Sequence, residues 1–373
     1  MALRALASIN LAALQRNVAR LRRDLAPGVA FCAVVKADGY GHGALACARA
    51  AQAAGATWLA VATAEEAAGL RRAGIDGPIL VLGALSHEEL ELALTARADV
   101  VAWSEPFVER LAGRPEPVCV HVKFDTGMGR LGTRERDQAV AVAERVLAGP
   151  SLALVGAMTH FATSDDDLEF VNAQLQRFVP FVEQLRRRCP GLVVHAANSA
   201  ATLRAPESHF DLVRCGIALY GCDPMQSDPV TVGLEPALEL RSYVAAVKRA
   251  DPGDSAGYGR RFIAEQETWL ATVPIGYADG VRRGLTNNCE VLIGGARYPL
   301  VGTVSMDNLT VEVGGPEVVR VGDAVTLIGR DGDARVTAED LARRLDTINY
   351  EVVCGISARV PRSYHRDGVA CEP

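Results

Sequence analysis

Eight short apolar runs, each followed by a turn and a helix-like stretch, constrain this chain more than any other feature. They fall at residues 30–35, 58–61, 79–82, 100–103, 118–122, 152–158, 193–196 and 211–213. Such alternation favours parallel strands joined by right-handed crossovers. Eight units over roughly 210 residues match the size of a (β/α)8 barrel. A doubly wound open sheet shares the alternation, and the count favours the barrel. Local signals agree with the helices between the runs. Asn10 stands as N-cap before an amphipathic stretch at 10–25. Thr63 with Glu66, and Ser86 with Glu89, spell capping boxes. The acidic run Asp165, Asp166 and Asp167 opens another helix, where negative charge complements the dipole; metal binding is the other reading of it.

Past Val230 the texture changes. Runs at 238–247, 268–275, 290–293, 309–313 and 324–328 read as short strands separated by Gly, Pro and Asp, with one clear helix at 338–345 opened by Thr337. The expected fold is α/β: an N-terminal (β/α)8 TIM-like barrel plus a C-terminal predominantly β domain. The division is placed at residues 1–232 and 233–373, with residues 1–9 packing with the second domain.

Composition narrows the function. Hydrophobic residues at 49% and charged residues at 23% suit a globular enzyme. A net charge of −6 without a basic stripe argues against nucleic acid as a partner. The arginines at 71–72, 186–188 and 343–344 lie in helix-like segments and read as solvated faces. The nine cysteines form no C-x-x-C and no zinc spacing with histidine, so no metal site is expected. Cys32, Cys119 and Cys215 sit in apolar runs and read as buried free thiols of a reducing compartment. The start lacks the apolar core of a signal peptide, and no run of about 18 apolar residues suggests a membrane span. A cytoplasmic protein without membrane association is expected.

In a barrel of this kind catalytic groups come from the C-terminal ends of strands. The first strand ends in VVKADGYGHG (residues 34–43), which places Lys36 ahead of three glycines and an alanine-rich helix at 44–54. An amine there can form a Schiff base with a carbonyl compound, although most strand-end lysines are merely solvated. The fifth run leads through VHVKFDTGMGRLG, with Lys123 and Arg130. The sixth ends in Thr159 and His160, the seventh runs into Asn198 and Ser199, and the eighth carries Arg214 before Gly216 and Ile217. A lone strand-end histidine is usually structural, and a lone arginine usually an ion-pair partner. Together they offer an amine, two guanidiniums, an imidazole, a hydroxyl and a helix start on one rim. That set suits an anionic, phosphorylated ligand bearing an aldehyde.

These segments closely resemble the alanine racemases. VVKADGYGHG matches the family's pyridoxal-phosphate lysine motif, and KFDTGMGRLG, THFATSD, HAANSA, LVRCGIALYG, AGYGRRF, VPIGYADG, VGTVSMDNL and INYEV follow in family order across both domains. The resemblance implies a pyridoxal 5'-phosphate-dependent isomerase that interconverts L- and D-alanine. It also implies a head-to-tail homodimer with shared active sites and, in a bacterium, a role in supplying D-alanine for peptidoglycan.

Residue roles follow from the same resemblance. Lys36 would hold the cofactor as an aldimine. Tyr40, Ser199, the amides of Gly216 and Ile217, and Tyr350 would bind the phosphate; by itself Tyr350 reads as an ordinary strand aromatic. Arg214 would face the pyridine nitrogen. Arginine keeps its proton, so the ring would be a weaker electron sink and side reactions such as transamination would be limited. Racemisation needs proton removal from one face of the α-carbon and delivery to the other, which two groups satisfy: the resemblance implies Lys36 on one face and Tyr258 from the partner subunit on the other. A free tyrosine has a pKa near 10 and needs help to act near neutrality, which His160 and Arg214 would give. Arg130 and the Met306 amide would hold the substrate carboxylate. Lys123, buried and pushed toward neutrality, would be carbamylated and position Arg130; an ion pair with Asp125 is the alternative. Tyr277 and Asp307 would lie near the substrate entrance. His42 is assigned a structural role, and Gly127 and Gly129 shape the turn that presents Arg130.

Three rival readings remain. A racemase of broader specificity, taking serine or other small amino acids, differs by few atoms. A barrel-type pyridoxal-phosphate decarboxylase would carry an acid where Arg214 stands. A non-enzymatic cofactor-binding barrel would lack the second domain.

Overall fold

The computed structural model describes residues 3–114 and 116–372; the first two residues of the 1–9 segment discussed above lie outside that range. The chain forms two compact units. Gln15–Gly39 and Cys47–Leu219 make one, and the remaining described residues make the other: the segment up to Leu14, Tyr40–Ala46, and the chain from Tyr220 onward.

The first unit is the barrel. An N-terminal strand, β1 (Leu6–Asn10), precedes it but belongs to the second unit. The barrel strands are β2 (Ala30–Val34), β3 (Trp58–Val61), β4 (Ile79–Val81), β5 (Asp99–Ala102), β6 (Val118–Lys123), β7 (Leu152–Met158), β8 (Val193–His195) and β9 (Leu212–Cys215). Neighbours pair in parallel and in sequence order, and β9 returns to pair with β2 through Ala30↔Leu212 and Cys32↔Arg214. Across the last seam, between β8 and β9, Asp211 N donates to Val194 O at 3.0 Å, and Arg214 N to Ala197 O at 2.9 Å. The barrel is therefore nearly closed, in line with the reading that the count favours a barrel over a doubly wound open sheet.

Short apolar strands suit this arrangement because parallel strands are covered on both faces. Phe31, Leu59, Ile79, Leu80, Val120 and Val194 are fully or almost fully buried. Each such side chain contributes about 1.5–3 kcal/mol of burial. Helix starts follow their local chemistry. Thr63 with Glu66 and Ser86 with Glu89 form reciprocal capping boxes on the helices Ala64–Arg72 and His87–Thr95. Asp167 caps the helix Leu168–Arg186 by accepting from Glu169 N and Phe170 N.

Arg71 departs from the solvated-face reading. It donates to four backbone carbonyls, Ala96, Ile75, Gly77 and Arg97, at 2.7–3.2 Å. It thereby ties the loop after its own helix, at Ile75 and Gly77, to the cap residue Ala96 and to Arg97 just past the helix His87–Thr95. Composition alone could not show this, because two of the four accepting carbonyls lie 25 and 26 residues away. Cys32 and Cys215 are buried thiols as expected, whereas Cys119, near the start of β6, is only half-buried.

The second unit is mostly antiparallel. Its strands are β10 (Leu238–Tyr243), β11 (Ala246–Ala250), β12 (Ser255–Ala256), β13 (Phe262–Ile263), β14 (Thr268–Val273), β15 (Glu290–Ile293), β16 (Ala296–Val301), β17 (Leu309–Val313), β18 (Ala324–Asp331), β19 (Ala334–Val336), β20 (Arg362–Arg366) and β21 (Val369–Ala370). The main sheet runs β11-β14-β17-β16-β15-β18-β10-β1-β20-β21, with β19 on β18; β12 and β13 form a small separate pair. Strand β1 lies between β10, antiparallel, and β20, parallel. The run at 238–247 breaks into β10 and β11 at Val244 and Ala245.

Thr337 caps the helix Ala338–Leu345 through a capping box with Asp340. A second helix, Asn349–Cys354, was not expected. Its buried residues, Asn349, Val352 and Val353, fall at i, i+3 and i+4, which is helical rather than strand spacing. Tyr350 therefore sits on a helix and is not a strand aromatic. Among the described residues, no helix is long and apolar enough to cross a membrane.

Candidate active site

Lys36 leaves the end of β2 half-buried, and the backbone immediately turns left-handed. Ala37, Asp38 and Gly39 have φ of 52°, 51° and 60° with ψ of 51°, 49° and 44°. Tyr40 and Gly41 continue at φ 52° and 80°. This conformation costs an L-residue about 1–2 kcal/mol, so Ala37 and Asp38 must be held by their surroundings. The amide of Ala37 donates to Glu66 Oε1 at 2.6 Å, and Gly39 N donates to Val35 O at 2.9 Å. The other carboxylate oxygen of Glu66 accepts from Ala62 N at 2.8 Å and Thr63 N at 3.2 Å. One carboxylate thus ties the turn after β2 to the turn after β3.

Arg214, on β9, is buried. Its Nη1 donates to His195 Nδ1 at 2.8 Å. Its Nη2 donates to Thr159 O at 2.9 Å, Ala196 O at 3.1 Å and His160 Nδ1 at 3.3 Å. Burial lowers its pKa to about 10, which still leaves it cationic at neutral pH. Burial, and then the Arg214 charge, hold His160 and His195 well below the usual histidine range. Lys123, Arg130 and Lys36 add to the effect on His160. Both imidazoles are therefore neutral, as acceptors of arginine hydrogen bonds must be.

Ser199 is the first residue of the helix Ser199–Arg204, whose N-cap Asn198 accepts from Ala201 N at 3.0 Å. The Ser199 hydroxyl oxygen accepts from Gly216 N at 2.9 Å and Ala218 N at 3.3 Å. That bond joins the turn after β8 to the turn after β9, where Ile217 opens a short 3-10 helix.

Lys123 is the last residue of β6 and is 4% exposed. Burial, then the Arg214 and Arg130 charges, lower its amine to about 8 against the opposing pull of Asp125. The Asp125 carboxylate accepts instead from the amides of Gly127 and Gly129 at 3.0–3.1 Å. Those bonds fold the glycine turn that presents an exposed Arg130.

The other candidates lie in the second unit. Tyr40 packs against Tyr220 and Tyr350, with ring centroids at 5.0 and 6.1 Å. His42 Nδ1 is 2.9 Å from Tyr40 O, and its ring rests on Tyr220 at 4.5 Å. Gly41 is required, because a Cβ there would lie 2.4 Å from Val353 O. Tyr258 is 73% exposed on a 3-10 turn, and Thr303 Oγ1 donates to its carbonyl at 2.6 Å. Tyr277 N donates to Ser305 O, and Ala278 N to Met306 O, both at 3.0 Å. Asp307 pairs with Arg359 at 2.7 Å. Tyr258, Tyr277, Met306 and Asp307 thus share one set of connected loops, with the first three exposed.

Family profiles described as alanine racemase, N-terminal domain, and alanine racemase, C-terminal domain, match residues 9–224 and 237–364. The chain belongs to the alanine racemase family. The alanine racemase of Geobacillus kaustophilus (strain HTA426) is 42% identical over 365 residues, covering 96% of this chain and 94% of that protein. Alanine racemase 1 of Bacillus subtilis (strain 168) is 39% identical over 371 residues, covering 98% and 94%. Two solved alanine racemases share the fold. That from Bacillus anthracis with bound L-Ala-P superposes with a TM-score of 0.91 at 39% identity, over 99% of this chain and 96% of that one. That from Clostridium difficile 630 in complex with cycloserine gives 0.90 at 33% identity, over 100% and 98%.

In this alanine racemase chain, two groups of residues beside the rim escaped the sequence reading. Glu66 was read only as a capping partner, and nothing local shows its bond to Ala37. His121 and Asp99 were not singled out. The signal was a histidine in the apolar strand V-C-V-H-V-K, on the same side of β6 as Lys123 by the two-residue period.

Proposed function

We propose that this protein interconverts L- and D-alanine with pyridoxal 5'-phosphate held at the barrel rim. The observation that carries the proposal is the convergence of Lys36, in its clamped left-handed turn, with a buried cationic Arg214 and the Ser199–Gly216 pair on one rim. The donor set fits the group: an amine for an aldehyde, a guanidinium for a ring nitrogen, and hydroxyl and amide donors for a phosphate. When bound, pyridoxal phosphate supplies an electron-withdrawing ring that acidifies the α-hydrogen of the attached amino acid.

The chain's own residues then divide the work. Lys36 Nζ holds or moves the α-proton at one face, and Tyr258 Oη at the other. Arg214 keeps its proton and donates to the ring nitrogen, while neutral His160 accepts from Arg214 and belongs to the same network. Ser199, Tyr40, Tyr350 and the amides of Gly216 and Ile217 hold the phosphate. Arg130 and the Met306 amide orient the substrate carboxylate, and a carbamylated Lys123 positions Arg130. Tyr277 and Asp307 narrow the entrance.

The assembly we propose is a head-to-tail homodimer with residues 1–232 as the cofactor-binding domain, apart from residues 1–9, which pack with the second, and 233–373 as a domain that contributes to the partner's site. The exposure of Tyr258 and Met306 on one chain supports this, since a partner's site closing over them would exclude water from the reacting groups. A bacterial host would use the product, D-alanine, in peptidoglycan, in the cytoplasm. Arg214 disfavours the decarboxylase reading. The test is incubation with L- or D-alanine in deuterated water, read by chiral chromatography and mass. Interconversion with α-deuterium gain from both sides is expected; carbon dioxide release without racemisation overturns the proposal.

A further inference from the structure

We infer that Asp99, His121 and His195 are positioning residues that orient Arg214 through one directed hydrogen-bond chain across the barrel interior. The inference rests on the reading that Arg214 faces the cofactor ring.

The chain begins at Arg214 Nη1, 2.8 Å from His195 Nδ1. A guanidinium only donates, so His195 Nδ1 carries the lone pair and its proton sits on Nε2. That Nε2 is 2.8 Å from His121 Nδ1, which must accept. The His121 proton then sits on its own Nε2, 3.3 Å from Asp99 Oδ2, which accepts as a carboxylate. Every tautomer follows from the arginine at one end and the carboxylate at the other. Reversing the direction would require a neutral arginine and a protonated aspartate.

The barrel is built around this chain. His121 and His195 are fully buried, Arg214 is 4% exposed and Asp99 is 9% exposed. Four strands, β5, β6, β8 and β9, contribute one member each. Gly156 on β7 pairs in register with His121, and a Cβ there would lie 2.1 Å from His121 Nδ1. The register of β6 against β7 shifts between Val120 and His121. Trp58 meets the His121 ring edge-on, with centroids 5.5 Å apart at 86°.

The arrangement suits what Arg214 must do. Its acceptors are neutral imidazoles and carbonyls, so the opposing negative charge is two imidazoles away. Hydrogen bonds in a chain polarise one another, so Asp99 makes His195 a better acceptor without placing a carboxylate beside the ring. The guanidinium is then anchored in plane and remains a donor.

The test uses holoenzyme with ¹⁵N-labelled histidine. Wild-type His121 and His195 are expected as neutral Nε2–H tautomers. Asp99→Leu removes the acceptor. It should mix the His121 and His195 tautomers and lower kcat about tenfold in both directions, as small misplacements of reacting groups do, while KM changes less than twofold. Asp99→Asn keeps an acceptor at the same place and should restore tautomer order and most of kcat. A wild-type His195 protonated on Nδ1, or Asp99→Leu with native tautomers and native kcat, overturns the inference. Should Asp99→Leu not fold, the wild-type spectrum decides by the same criterion. A wild-type protein that binds no pyridoxal phosphate sinks the functional reading instead, and the tautomers of the unloaded protein still decide the chain.

Discussion

The Ala37 amide and the Glu66 carboxylate are joined by a 2.6 Å hydrogen bond that locks the left-handed turn behind Lys36 to the neighbouring strand end. Without Glu66, the amides of Ala37, Ala62 and Thr63 lose their acceptor together. Glu66→Ala should therefore cost about 1–3 kcal/mol of stability, from lost capping and under-satisfied amides. It should also lower kcat, because the lysine is no longer held at the strand end. Urea denaturation alongside steady-state kinetics checks both; an unchanged kcat would separate the turn from catalysis.

Lys123 gives a pH prediction. Its folded pKa is lowered from 10.5 to about 8, so the unfolded chain binds the proton first as pH falls. Below 8 the folded state carries the full penalty; between 8 and 10.5 the penalty fades, and above 10.5 it is gone. The neutral amine favoured by this environment is the form that adds carbon dioxide, and carbamylation would replace a cation disfavoured by the Arg214 and Arg130 charges with an anion. Intact mass or ¹³C NMR after exposure to labelled bicarbonate should show the adduct, and carbon dioxide-free buffer near pH 7 should lower both stability and kcat/KM. An unmodified Lys123 in bicarbonate would refute it.

Tyr258 is solvent-exposed on the single chain, so Tyr258→Phe should leave stability within about 0.5 kcal/mol. The hydroxyl is the proposed second base, and its loss should cost about 10²–10⁴-fold in turnover with the cofactor still bound. Absorbance of the bound cofactor and racemisation rates in both directions provide the readout. Native rates would remove the two-base proposal.

The shared-site dimer predicts complementation. Lys36→Ala and Tyr258→Phe chains, each inactive alone, should regain activity on mixing and reassembly. Random pairing gives mixed dimers half the time, each with one intact site of two, hence about a quarter of wild-type activity. No recovery, with mixed dimers verified by native mass spectrometry, would place both bases in one chain.

Gly156 faces His121 too closely for any side chain. Gly156→Ala should destabilise by about 1–3 kcal/mol through overpacking, read from the denaturation midpoint. A neutral effect would mean that the His121 ring can yield.

Much of the architecture is local physics and therefore legible in one dimension. Apolar runs set the barrel strands, and Thr63, Ser86 and Thr337 start helices through bonds spanning three residues. Lys36 is recognisable because strand ends and glycine turns are sequence-adjacent. The second helix, at Asn349–Cys354, was missed because six residues hold too little periodicity to separate a helix from a strand.

The amino-acid order alone determined the alternation of strand and helix, the helix caps and the position of Lys36 at a strand end. Tertiary closure decided the rest. Glu66 reaches Ala37 across 29 residues, and the Asp99, His121, His195 and Arg214 links span 22, 74 and 19. Strand β1 pairs with β10 and β20, whose residues lie hundreds of positions away. Such bonds exist only once the sheet has curled and brought remote strands into register, because a hydrogen bond is specified by where two atoms meet and not by the sequence around either one.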